Sequence, residues 1–110
     1  MMIFVVRMEH PDGEEWGQYV AEHVSYLRGL ITRGHLLASG PVKGSVLRAG
    51  LLIFRAENEQ QVRQWIEDDP FSRENLIVTL DICQWDPLFG CLSEVSSGVL
   101  PPVLQDQTAG

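Results

Sequence analysis

Cysteine is scarce in this chain. Only Cys83 and Cys91 occur, neither in a C-x-x-C pair and neither beside a histidine or second cysteine at zinc-ligand spacing. That argues against a disulfide scaffold and a thiolate metal site, and it points to a reducing compartment. The expectation is one buried apolar thiol and one loop thiol. Long hydrophobic runs are lacking too. No stretch approaches the ~20 apolar residues of a membrane-spanning helix. The first residues carry neither the basic region nor the apolar core of a secretory signal. A cytoplasmic location is the expectation. Positive charge is the third deficit. Eight basic residues face fifteen acidic ones, for a formal net charge of −7. The eight are scattered (Arg7, Arg28, Arg33, Lys43, Arg48, Arg55, Arg63, Arg73) and are not interleaved with stacking aromatics. A phosphate backbone or an anionic lipid surface is repelled on average, so neither a nucleic acid nor a membrane is expected as partner. The three histidines, His10, His23 and His35, show no H-x-H or H-x-x-x-H spacing, so no metal is expected.

What is present suits one core. The chain has 110 residues, 45% of them hydrophobic, which fits a single domain. A β-branched apolar segment centred on Ile3-Phe4-Val5-Val6 predicts a strand over about 2–8. After the turn His10-Pro11-Asp12-Gly13, Asp12 and Glu15 have capping-box spacing. Trp16, Val20, Val24, Leu27, Leu30 and Ile31 then form a helical stripe that Gly34 is placed to end. Leu36 to Val42 reads as a strand that Pro41 confines to an edge. Gly50 to Ala56 reads as a third strand. Asn58 and Gln61 predict the cap of a second helix through Val62, Trp65 and Ile66, with Pro70 stopping it. Leu76 to Trp85 reads as the last strand, with Leu76, Val78, Leu80 and Ile82 on one face and Ile77, Thr79, Asp81 and Cys83 on the other. Residues 91–110, rich in Ser, Gly, Pro, Val and Gln, read as an irregular tail to a domain over 1–90.

The order β-α-β-β-α-β predicts an α+β split βαβ fold, an antiparallel sheet with two helices on one face. The other face would carry Ile77, Cys83 and Trp85. A face of that kind is rarely left wet, so a homodimer with sheets face to face is expected, unless the tail folds over it.

His23 is the odd residue of the first helix. It falls on the apolar stripe, with Tyr19 and Tyr26 beside it at helical spacing. A half-buried imidazole needs hydrogen-bond partners, so His23 is either a satisfied core residue or a general base that titrates near neutrality. Asp68-Asp69 sits where a helix dipole disfavours carboxylates. It is either a polar helix stop or the source of a carboxylate that fixes an imidazole tautomer. Ser39-Gly40-Pro41 is either a plain strand end or a place where a ligand meets a hydroxyl and a side-chain-free backbone. His10 and His35 read as surface residues.

Taken in order, these segments resemble the YciI-like, or YCII-related, family. The matching stretches are His23-Val24-Ser25-Tyr26-Leu27, Gly34-His35-Leu36-Leu37-Ala38-Ser39-Gly40-Pro41, Asp69-Pro70-Phe71 and Ile82 to Trp85, within about 2–90. The arginine that family members often carry three residues before the histidine is replaced by Val20. The resemblance implies a ferredoxin-like fold, a barrel-like dimer of facing sheets and a catalytic His23–Asp69 pair. By likeness to the family's dehydrochlorinase, it implies a cofactor-free lyase. That enzyme would abstract a proton and eliminate chloride from a small hydroxylated ring in aromatic catabolism. Ser39, Gly40, Trp16, Tyr19, Tyr26 and Phe71 are the expected substrate contacts. The alternatives are a muconolactone-type isomerase and a non-enzymatic, dimeric small-molecule-binding module.

Overall fold

The computed structural model describes residues 1–108. The elements run β1 (Met2–Glu9), α1 (Glu15–Thr32), β2 (Leu36–Pro41), β3 (Ala49–Ala56), α2 (Glu59–Glu67), α3 (Pro70–Arg73), β4 (Thr79–Trp85), a 3-10 turn (Ser93–Val95) and α4 (Pro102–Thr108). The four strands form one sheet in the order β2-β3-β1-β4. All three pairings are antiparallel. This is the expected ferredoxin-like α+β fold. Within one chain the sheet is open and does not close into a barrel.

Register sorts the side chains. Phe4, Val6 and Met8 of β1 lie opposite Phe54, Leu52 and Gly50 of β3, and opposite Gln84, Ile82 and Leu80 of β4. This is the helix-covered face. Phe4, Val6, Leu52 and Phe54 form the core with Leu27 and Leu30 of α1 and Val62 and Ile66 of α2. On the other face Val5 pairs with Ile53 and Cys83, and Ile3 pairs with Trp85. Trp85 and Leu51 stay 42% and 40% exposed there.

Local chemistry sets the helix ends. The Asn58 side chain accepts from Gln61 N–H at 2.9 Å, so the predicted cap of α2 forms. Gly34, at φ +80°, takes the left-handed conformation beyond α1. Gly34 N–H reaches the Ile31 carbonyl and His35 N–H the Leu30 carbonyl, which closes the helix as a Schellman motif. The Asp12–Glu15 capping box does not form. Helix α1 starts behind Glu14, with no side-chain cap.

Three further expectations are corrected. Ile77 packs against the core rather than lying on the open face, and Val78 is 58% exposed. The cause is a bend at Val78. Strand pairing begins only at Thr79, so the alternation does not extend back to Leu76. Cys83, expected to be buried, is exposed on the open face, as is Cys91 in the tail. The stretch expected to be irregular holds the 3-10 turn and α4. The Asp86 carboxylate anchors this stretch by accepting from Ser97 N–H at 2.8 Å and Ser97 Oγ–H at 2.6 Å. The molecule is 58 Å long against 30 and 21 Å in its other directions. Residues 109–110, part of the predicted tail, lie outside the described residues.

Candidate active site

Helix α1 stands off the β2 edge of the sheet, and a cleft of about 560 Å³ opens between them. That is ample for a single-ring molecule. Met8 and Leu52 lie at its floor. Val20, Val24, Leu27 and Ile31 form the α1 wall, and Ser39, Gly40 and Pro41 of β2 the opposite one. His10, Trp16, His23 and Phe71 close one end.

Asp69 is the hinge of this end. It is 2% exposed. Sequence reading treats it as the end of α2, but Asp69 is the N-cap of α3, where a carboxylate suits the positive end of the helix dipole. Its Oδ1 accepts from Phe71 N–H at 2.9 Å, and Pro70 holds the first helical position, where a missing N–H costs nothing. So the backbone of α3 fixes the carboxylate. Both its oxygens then meet His23 Nδ1, at 2.8 and 3.0 Å. Phe71 stacks on the same imidazole, with centroids 4.1 Å apart and planes 19° apart. A donated Nδ1–H leaves the Nε2 lone pair on the far side of a clamped ring that lines the cleft.

His10 is the residue that sequence reasoning missed. Far from being a surface residue, it is 4% exposed. Its Nδ1 donates to the Leu76 carbonyl at 2.7 Å, and its ring lies 4.7 Å from Phe71. Burial pushes its pKa below the ordinary histidine value, against the opposing Leu76 hydrogen bond, and the nearby His23 and Arg48 add to the lowering. Burial thus favours its neutral form, and the residue lines the cleft. A signal for it existed. His10 continues the two-residue period of Phe4, Val6 and Met8 on the inward face.

The structure thus gathers His23, Asp69, Trp16, Phe71, Ser39 and Gly40 at one site. Ser39 lies opposite Leu52, on the cleft side. A Cβ at Gly40 would meet nothing within 4 Å, so the glycine is not enforced by crowding. Tyr19 and Tyr26 do not join them. The Tyr26 hydroxyl donates to the Trp65 carbonyl at 2.6 Å, and burial pushes its pKa up to about 12. Tyr19 faces Glu74, whose charge raises its pKa. Helical geometry explains the split. At ~100° per residue, Tyr19 and Tyr26 sit ~40–60° to one side of His23, while Val20, Val24, Leu27 and Ile31 lie on the other. His23 marks the border between the face turned to α3 and the face turned to the cleft.

Basic side chains gather at the cleft as well. Arg28, Lys43 and Arg48 line it. The Arg48 guanidinium lies 4.9 Å over the Trp16 ring and donates to the Gly13 carbonyl at 3.0 Å. Among the described residues, no group of three or more His, Cys, Asp or Glu side chains is placed to hold a metal ion, and no helix is long and apolar enough to cross a membrane.

Two solved structures share this architecture. The 5-chloro-2-hydroxyhydroquinone dehydrochlorinase TftG of Burkholderia phenoliruptrix AC1100, in complex with 2,5-dihydroxybenzoquinone, superposes with a TM-score of 0.68 at 23% identity. The match covers 77% of this chain and 94% of that one. An uncharacterised NIPSNAP domain protein of Burkholderia xenovorans superposes with a TM-score of 0.55 at 12% identity, over 83% of this chain and 98% of that one. At these identities the likeness establishes the fold. No functionally curated protein matches the chain. The YCII-related domain matches residues 1–86, a span that takes in all four strands, His23 and Asp69, and this chain belongs to the YCII-related domain family.

Proposed function

We propose that this protein is a lyase of aromatic catabolism that eliminates hydrogen chloride from a small chlorinated, hydroxylated ring, with His23 as the base. The observation that carries the reading is the His23–Asp69 pair. A buried carboxylate 2.8 Å from Nδ1 holds the ring in one tautomer, with Nε2 left for a substrate in an apolar cleft. The fold shared with a dehydrochlorinase supports the choice of reaction.

The chemistry balances without an oxidant or reductant. His23 takes the proton of the hydroxyl next to the chlorinated carbon, and that carbon gains a proton and becomes tetrahedral. Loss of the proton from the hydroxyl para to the new carbonyl forms the second carbonyl. The ring double bond shifts towards the C–Cl carbon, and chloride leaves with the bonding pair. The net change is loss of HCl from a trihydroxylated ring to give a hydroxybenzoquinone. Asp69 offsets the charge of the transient imidazolium, and His10 Nε2 can accept from a second hydroxyl. Trp16 and Phe71 supply flat apolar contact, and Ser39 a polar one. Acid–base help of this kind is worth ~10²–10⁴-fold.

The test is to replace the two neighbouring aspartates separately. Asp69→Asn is expected to keep the fold and lower kcat by ~10²-fold or more, because the amide no longer specifies the tautomer. Asp68 is exposed and accepts from Gln64 Nε2 at 3.2 Å, away from His23, so Asp68→Asn should stay near wild type. Loss in Asp68→Asn with none in Asp69→Asn would reject the pairing.

The working unit in this reading is a homodimer joined through the open sheet faces. Leu51 and Trp85 are the exposed apolar groups that such contact would cover, around half-buried Val5 and Ile53. Sedimentation of Leu51→Glu is expected to give monomer where the wild type gives dimer. A monomeric wild type would reject it.

A further inference from the structure

We infer that the cleft receives its ring as an anion, held through an oxyanion by Arg28, Lys43 and Arg48. This rests on the cleft being the reaction site, as proposed above. The chain as a whole is strongly acidic, with fifteen acidic residues against eight basic ones. The cleft inverts that balance. Three of the eight basic side chains line it, and among the described residues no aspartate or glutamate does. Asp69 lies behind the His23 ring and is already engaged by it.

Among the described residues five of the eight basic side chains form no ion pair, these three together with Arg33 and Arg55, and the latter two do not line the cleft. Arg7, Arg63 and Arg73 are each paired with a glutamate within 3.3 Å. Among the described residues, no carboxylate pairs with Arg28, Lys43 or Arg48. Like charges gathered around one cavity repel each other, and an anion between them removes that cost. Arg48 is held ready. Its guanidinium is tied to the Gly13 carbonyl and laid over Trp16, which leaves further N–H groups for a ligand. A second unmet demand sits beside it, because Trp16 Nε1 is buried with no acceptor. The cations come from separate parts of the chain, α1 and the 42–48 connection, so they border the cavity from more than one side.

The division of labour follows from position. Arg48 adjoins the histidine end, since His10 N–H bonds the Arg48 carbonyl at 2.9 Å. Charge that develops on the ring during elimination falls there. Arg28 is five residues beyond His23, ~7.5 Å along α1, and Lys43 lies across the cleft on the other wall. They hold the oxygen remote from the base. The ligand chemistry is a planar ring bearing an oxyanion, either an ionised ring hydroxyl conjugated to a carbonyl or a ring carboxylate.

Binding of three unreactive probes tests this by calorimetry on the full chain at pH 7. The probes are 2,5-dihydroxybenzoquinone (ring oxyanion), 2,5-dihydroxybenzoate (carboxylate) and hydroquinone (uncharged). At least one anion should bind about tenfold or more tighter than hydroquinone, as charge-assisted contacts imply, and the tighter of the two identifies the source of the oxyanion. Arg28→Gln/Lys43→Gln should erase most of that preference while hydroquinone binding stays within about twofold, and added salt should erode it in the wild type. Both side chains are exposed, so the double variant is expected to fold. Equal affinity for all three probes, or a preference that survives the double variant, overturns the inference. No probe is turned over. A failed elimination in a chloride assay therefore leaves this result standing, and the reverse also holds.

Discussion

Ile66 of α2 and Ile31 of α1 are the same residue type on the two helices that cover one face of one sheet. Ile66 is 4% exposed and packed among Phe54, Ala56 and Val62, whereas Ile31 is 49% exposed and lines the cleft. Val62 and Val24 repeat the contrast, at 0% and 37%. The α2 half is sealed as an ordinary core. The α1 half keeps an apolar stripe partly open to the cleft. An apolar stripe therefore does not by itself mean core. On α1 five of its six residues, all but Leu30, line the cleft, and His23 stands at its border.

Truncating each isoleucine should distinguish the two helices. Ile66→Ala should lower unfolding free energy by about 2–5 kcal/mol in a denaturant titration. Ile31→Ala should cost under ~1 kcal/mol and instead weaken ligand binding. Equal destabilisation would mean that the α1 stripe is core after all. A smaller contrast lies at the helix starts. Asn58→Ala removes the bonded cap of α2 and should cost about 1 kcal/mol, while Glu14→Ala removes no cap bond and should stay within ~0.5 kcal/mol.

The smallest effect concerns acid. Burial depresses the His10 pKa from 6.5, so the unfolded chain takes up a proton at His10 before the folded one does. The stability held by neutral His10 is therefore present above pH 6.5 and is lost as pH falls from there towards the lowered value. In a pH series of unfolding curves, His10→Gln should show a shallower acid decline than the wild type. Identical slopes would mean that His10 is not buried neutral.

The fold was legible because its signals are local. The order of elements along the chain follows from apolar alternation, the Asn58–Gln61 cap and the Gly34 stop; the cap and the stop form as their chemistry dictates, and the alternation fails only at the start of the last strand. From local pattern the pairing partner of His23 was readable only as a misplaced carboxylate, and it was the family resemblance that singled out Asp69. Why Asp69 is in place is a tertiary matter. It caps α3, and α3 is brought beside α1 by chain folding that no local pattern encodes. His10 carried a usable signal in its register with Met8, but the turn composition around it masked that phase. Tyr19 and Tyr26 misled because spacing places a residue near His23 without saying on which side. Nor could the cations be foreseen. Arg28 and Arg48 are twenty residues apart in sequence, and the hairpin between them brings both to the cleft.

In the proposed reaction His23, oriented by Asp69, performs the elimination. Chloride release from 5-chloro-2-hydroxyhydroquinone, by wild type and His23→Ala side by side, tests it most directly. Steady release by the wild type is expected, with a fall of ~10²–10⁴-fold in the variant and the fold intact. Equal release by the two proteins would remove His23 as the base. No release by either, on this ring or on chloromuconolactones, would contradict the lyase and leave the isomerase and the binding module to account for the same cleft.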